Sequence, residues 1–200
     1  ISYLPLMLKN LTFDQICHEH LTYYTLSVFE KIIKKSGLRI LDFRLNEING
    51  GSIEIIVCKN NSKHQSKIQK IRKIKKEELK INKVSYVNFQ KRVEDTRENL
   101  TKFLLKNKNT IGYVASTKGN IILNYCNIGT KYIDTIYDTT PEKIGTFSPG
   151  MHIPIRDHSE FNKLLPDIAY LFAWNHKEEI MNKEKKFSEN GGLWFSHVDL

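Results

Sequence analysis

From Ile111 to the C-terminus, short apolar runs rich in β-branched and aromatic residues alternate with helix-forming segments, and this alternation constrains the fold more than any other feature. IGYVAS, YIDTIYD, IAYLFAW and GLWFSH read as strands. Helices are expected from about Asn120 to Cys126, near Ser159 to Leu165, and after Asn175, with a long loop running to Pro154. Strands alternating with helices pair in parallel, because the helix carries the chain back to the same edge of the sheet. Residues 111–200 are therefore expected to form a small Rossmann-like parallel-sheet domain of α/β class.

Residues 1–60 follow a different pattern. Thr22 to Ser36 place Leu26, Phe29, Ile32 and Ile33 on one helical face, and Gly37 follows the lysines of the last turn as a stop signal. LRILDFRLN and GSIEIIVCKN then read as two strands joined by EINGG, where Asn49, Gly50 and Gly51 can take positive backbone dihedrals. A helix leading into an antiparallel hairpin is how a class I methyltransferase sheet ends, although other α/β domains use the same pieces.

Between these blocks, residues 61–110 contain no glycine and carry about 15 Lys and Arg against 5 acidic residues, a local balance near +10 that leaves the rest of the chain close to neutral. Two helices are expected, one through Ile68, Ile71 and Ile74. The other offers Val84, Val87, Phe89, Val93, Leu100, Phe103, Leu104 and Leu105 as candidate buried positions. The stretch has few aromatics and no nucleic-acid recognition motif, so a solvated helical face is expected rather than a nucleic-acid partner.

Cys17, Cys58 and Cys126 are widely spaced and include no CxxC pair, which argues against a disulfide framework or a cysteine zinc site and fits a reducing cytoplasm. No apolar run approaches the roughly 20 residues of a membrane span, so no membrane partner is expected. ISYLPLMLKN lacks the basic start and long apolar run of a secretory leader, and the chain reads as part of something longer.

The densest titratable cluster is CHEHLTYY, Cys17 to Tyr24. His18 and His20 do not share a helical face, so paired metal ligation of the HExxH kind is not expected and no metal site is assigned. A histidine suits proton removal near neutral pH, and a neighbouring carboxylate can orient it, so His20 with Glu19 forms a candidate base. Glu19 as a cap of the following helix is an equal alternative, and Tyr23 and Tyr24, beside an apolar helical face, read more readily as packing residues than as catalysts. In the last block, ASTKGN places Ser116, Lys118 and Asn120 between a strand and a helix, where amides and the helix dipole favour a phosphate. Asp138 ends the next strand, where it can hold a ribose hydroxyl or form the turn before Pro141. The loop GTFSPGMHIPI and the segment AWN, with Trp174 and Asn175, are expected at the same edge; Asn175 can read a base or cap the helix that follows.

YLPLML, FDQICHEHLTYY, INGGS, KGNIILNYC, SPGMHIPI, PDIAYLFAWN and EEI occur in this order, with VNFQKRVEDTRENL in the connector. Together they resemble the S-adenosylmethionine-dependent sugar C-methyltransferases that act on nucleotide-activated 4-keto-deoxyhexoses. The resemblance implies that residues 1–60 end a methyltransferase domain, 61–110 form a helical connector and 111–200 bind the nucleotide sugar. It further implies that S-adenosylmethionine is held mostly by residues preceding this chain, that zinc belongs only to a still earlier domain, and that the chain alone is inactive. By the same resemblance His20 is the base at sugar carbon 3, supported by Glu19, with His18 in the same motif. The family often has tyrosine where this chain has Cys17, which leaves Tyr23 or Tyr24 to compensate. Ser116, Lys118 and Asn120 would meet the diphosphate, with Asn124, Asp138, Lys143 and Asn175 nearby. A non-catalytic nucleotide-sugar-binding module is the alternative reading.

Overall fold

The computed structural model describes residues 1–164 and 166–199, so Leu165, the expected end of one helix, lies outside the described residues. Contacts divide the chain into two compact units, Ile1–Arg92 and Val93–Leu200.

In the first unit, helix α1 (Leu4–Asn10) precedes α2 (Leu26–Lys34), strands β1 (Leu38–Asn46) and β2 (Ser52–Lys59), and helix α3 (Ile68–Glu78). The long helix α4 (Lys83–Lys106) begins here and runs across the division. Nothing in the periodicity of its seven residues marks α1, and its stabilisation is tertiary. The Arg92 guanidinium donates to the terminal carbonyls of Leu8 and Lys9 at 3.0 and 3.1 Å, and Asn10 reaches the Gly50 carbonyl at 2.8 Å.

Helix α2 starts at Leu26 rather than Thr22, because the Thr25 hydroxyl accepts from the Val28 amide and caps it there. Thr22–Tyr24 lie outside the helix, with Tyr24 bridged to Tyr3. Leu26 and Ile33 enter a core with Tyr3, Ile40, Phe43, Ile53 and Ile71, and Phe29 packs against it, whereas Ile32 is exposed. The hairpin pairs Leu38 with Lys59 and Asn46 with Ser52, and Asn49, Gly50 and Gly51 all have positive φ in its turn.

Of the isoleucines expected to define the face of α3, Ile71 is buried and Ile68 is exposed. In α4 the buried stripe is Val93, Thr96, Leu100 and Leu104. Val84, Val87 and Leu105 are exposed: Val84 precedes Val93 by nine residues, half a turn off the stripe, and Leu105 is one residue past it.

In the second unit, β3 (Thr110–Tyr113), β4 (Ile136–Asp138), β5 (Ile155–Asp157), β6 (Ile168–Leu171) and β7 (Leu193–Phe195) form a parallel sheet in the order β5-β4-β3-β6-β7. This is the Rossmann-like arrangement, with β3 and β6 flanking the point where the strand order reverses. Strands β3, β4 and β6 are wholly buried, as expected where both faces of a parallel sheet are covered. Helices α5 (Thr117–Cys126), α6 (Phe161–Leu164), α7 (Lys177–Lys183) and α8 (Lys185–Glu189) connect the strands. Helix α5 begins three residues before the expected start, since the Ser116 hydroxyl caps it by accepting from Gly119 N at 3.0 Å. A Cβ on Gly119 would stand 2.4 Å from Phe172 Cβ, so glycine lets α5 lie directly on the residue that follows β6.

Candidate functional site

In the first unit the CHEH residues occupy a turn, closed by the His20 amide on the Cys17 carbonyl at 3.0 Å. Glu19 therefore does not cap α2, and the contact within the triplet joins it to His18 at 3.9 Å, with both side chains exposed. The His20 ring is half-buried, and its Nδ1 is buried without a hydrogen-bond partner among the described residues. Tyr23 meets that ring edge-on with centroids 6.4 Å apart, and its hydroxyl donates to the Gln15 carbonyl at 3.0 Å. Burial, then the neighbouring Cys17, raises the Tyr23 phenol above its ordinary value. Tyr24 packs edge-on against Phe29. Sequence reasoning missed the support beneath this turn. Gln15 is fully buried, donates to Thr12 Oγ1 at 2.6 Å and accepts from Ser2 Oγ at 2.8 Å.

In the second unit the strand-order reversal brings the N-terminus of α5 beside the end of β6. Ser116, Lys118 and Asn120 stand on the first turn and a half of α5, and Trp174 and Asn175 lie in a short turn after β6. Lys118 Nζ lies 5.8 Å from the centre of the Trp174 ring, which links the two loops. Asn175 does not cap α7, whose N-cap is His176. Val114, at the start of the turn between β3 and α5, has φ +68, a conformation that β-branched residues rarely adopt.

Asp138 and Lys143 brace the same edge. Asp138 is 4% exposed; its Oδ2 accepts from the Ala115 amide and its Oδ1 from the Thr140 amide, both at 2.7 Å. Lys143 Nζ donates to the Ala115 carbonyl at 2.8 Å and to Asp138 at 3.4 Å. Burial pushes the Asp138 carboxyl up, but hydrogen bonds from Thr140 and Ala115 and the Lys143 charge together hold it below its ordinary value. Both oxygens are thus engaged in forming the turn.

Asn124 is not brought to this edge. It lies about 12 Å along α5 from Ser116, and its side-chain amide donates to the Asn120 carbonyl at 2.8 Å and the Pro149 carbonyl at 3.0 Å. The GTFSPGMHIPI loop, expected at the ligand edge, instead returns to the start of β4, where Ile136 N donates to the Pro154 carbonyl. The strand that follows it, β5, runs parallel to β4 and must begin at that opposite edge.

A cavity of about 210 Å³ adjoins the ends of β3 and β4, lined by Tyr113, Asp138, Thr140, Lys143, His158 and Lys183 among others. Two of the lining residues converge on the buried Glu184, a network that sequence reasoning missed: Glu184 Oε1 accepts from the Tyr113 hydroxyl at 2.9 Å and meets His158 Nε2 at 2.7 Å. Burial, then the Glu184 contact, raises the Tyr113 phenol well above its ordinary value. Tyr113, His158 and Glu184 are 71 residues apart at the extremes, so no local motif could have united them.

Residues 47–198 match the family described as C-methyltransferase C-terminal domain. The chain belongs to that family. It is also similar to C-methyltransferase NovU from Streptomyces niveus, with 32% identity over 198 residues, taking in 96% of this chain and 47% of that protein. The C-methyltransferase C-terminal domain thus takes in the β1–β2 turn, both long helices and the parallel sheet, and the chain spans about half the length of its curated relative. Among the described residues no helix is long and apolar enough to cross a membrane.

Proposed function

We propose that this chain is the acceptor-side portion of an S-adenosylmethionine-dependent C-methyltransferase that methylates carbon 3 of a nucleotide-linked 4-keto-deoxysugar. The observation that carries the ligand class is the juxtaposition at the strand-order reversal of the α5 N-terminus, Lys118 and Trp174. Membership of the C-methyltransferase family supports the reaction class. In this reading residues 1–60 complete a methyltransferase domain, 61–110 connect it, and 111–200 hold the nucleotide sugar.

S-adenosylmethionine supplies the methyl group in the complete enzyme. Among the described residues the first unit contains no strand, glycine loop and helix of the kind that cradles it, so this chain's own chemistry is confined to the acceptor. The ketone at carbon 4 acidifies the hydrogen at carbon 3. His20 takes that proton, and the partly buried ring with one unpartnered nitrogen supports this role. Lys118 supplies positive charge to the diphosphate, Ser116 and Asn120 meet it from the same turn, and Asn175 lies on the facing loop.

Calorimetric titration with nucleoside-diphosphate deoxysugars tests the ligand class, with saturable binding expected to weaken at least tenfold in Lys118→Ala. In the full-length enzyme, His20→Ala is expected to abolish methyl transfer while leaving nucleotide-sugar binding in place. Undiminished turnover in that variant overturns the base assignment, and binding without any turnover in the parent enzyme favours a non-catalytic nucleotide-sugar-binding module.

A further inference from the structure

Glu78 ends α3 within the lysine-rich stretch, yet it is only 7% exposed. Its carboxylate accepts from the Tyr3 hydroxyl at 2.8 Å, the Leu26 amide at 2.6 Å and the Ser27 amide at 2.9 Å, and the Ser27 hydroxyl is a fourth donor. The adjacent Glu77 pairs with Lys80 in solvent, which is the ordinary fate of a carboxylate in such a segment. Leu26 and Ser27 carry the first amides of α2, which have no partner within the helix, and Thr25 accepts from the next, Val28. A carboxylate at this positive helix end is favoured by the dipole, and four donors offset the cost of removing its charge from water.

The same Tyr3 is tied to the segment that leads back to His20. Tyr3 bridges Tyr24 through the backbone, and Leu4 N donates to the Tyr24 carbonyl at 2.9 Å. On the other side Tyr23 is tied to Gln15. The turn bearing His20 is therefore suspended between two anchors, Gln15 before it and the Tyr3–Glu78 pair after it.

We propose that Glu78 is a positioning residue for His20: by fixing the first turn of α2 and holding Tyr3, it sets where residues 20–25 present the imidazole. This rests on His20 as the proton acceptor proposed above. The test uses the full-length enzyme with Glu78→Gln, His20→Ala and Ile71→Val, the last being a core change in the same unit that touches no polar group of the latch.

In Glu78→Gln, kcat is expected to fall about 10- to 100-fold while KM for the nucleotide sugar stays within about twofold, because misplacement of a reacting group affects the chemical step. Ile71→Val is expected to lower the melting temperature and keep kcat. Equal kcat in Glu78→Gln and Ile71→Val, or a change confined to KM, overturns the proposal. Turnover retained in His20→Ala overturns both this proposal and the base assignment, whereas loss there with normal kcat in Glu78→Gln overturns the positioning role alone. Should Glu78→Gln fail to fold, Tyr3→Phe removes one donor and leaves the helix cap in place; kcat is then expected to fall about fivefold, and an unchanged kcat overturns the proposal.

Discussion

The Ala115 amide donates to Asp138 Oδ2 at 2.7 Å, tying the turn between β3 and α5 to the end of β4. The Ala115 carbonyl receives Lys143 Nζ, so the two backbone groups of one residue are held by the two members of an ion pair. The edge that would meet a diphosphate is thus set by contacts between separate strands.

Asp138→Asn is expected to destabilise the second unit by about 1–3 kcal/mol, because in either orientation the new amide presents an N–H to a backbone donor, that of Ala115 or that of Thr140. The native Asp138 carboxyl lies below its ordinary value, so the stability it contributes is present above the unfolded pKa of about 3.9. That contribution is lost as pH falls through the lower folded pKa. Denaturant unfolding of both proteins from pH 7 to pH 3 should show the difference narrowing below about pH 4.

Gly145 and Gly150 both have φ +80, but only Gly150 is crowded, with a Cβ there standing 1.9 Å from Asn124 Oδ1. Gly145→Ala should cost about 1–2 kcal/mol for its backbone conformation alone. Gly150→Ala should cost more, and adding Asn124→Ala should recover part of the excess. An additive double-mutant cycle would show that the Asn124 contact does not restrict Gly150.

Tyr3 and Tyr113 are both buried against carboxylates, which raises their phenols far above the ordinary value. A raised folded pKa gives stability that is present below the unfolded value of about 10 and lost as pH rises beyond it. Absorbance titration should show these two tyrosines ionising only with cooperative alkaline unfolding, and the Tyr3→Phe, Tyr113→Phe double variant should unfold less steeply with pH. Their early, non-cooperative ionisation would contradict the buried placement.

Several lysines of the basic stretch already have partners. Lys67 and Lys70 meet Asp42 at 2.6 and 2.7 Å, and Lys75 meets Glu30 at 2.5 Å. Hydrogen bonds from Lys67 and then Lys70 hold the Asp42 carboxyl well below the usual carboxylate range. Oligonucleotide binding measured by fluorescence anisotropy at physiological salt is expected to be weaker than about 1 μM, the range of non-specific electrostatic association. Submicromolar binding with a steep salt dependence would instead support a nucleic-acid partner.

The sequence by itself determined the elements whose patterns are local. The alternation after Ile111 specified a parallel sheet, the Asn49–Gly51 turn specified the hairpin, and ASTKGN marked a strand-to-helix turn. Each depends on neighbouring residues, whose periodicity or backbone freedom is written into a short segment. The Thr25 cap at the start of α2 is local, but only tertiary structure supplied the partner of its first two amides, because the Glu78 carboxylate that satisfies Leu26 and Ser27 arrives from about 50 residues away. Tertiary structure likewise sent the Gly- and Pro-rich loop to the far edge of the sheet, through the β4–β5 register and the Asn124 tether. Tyr113, His158 and Glu184 follow the same rule. Each looks ordinary in the chain, and only folding removes them from water, where a buried carboxylate must find its donors and the donors must converge.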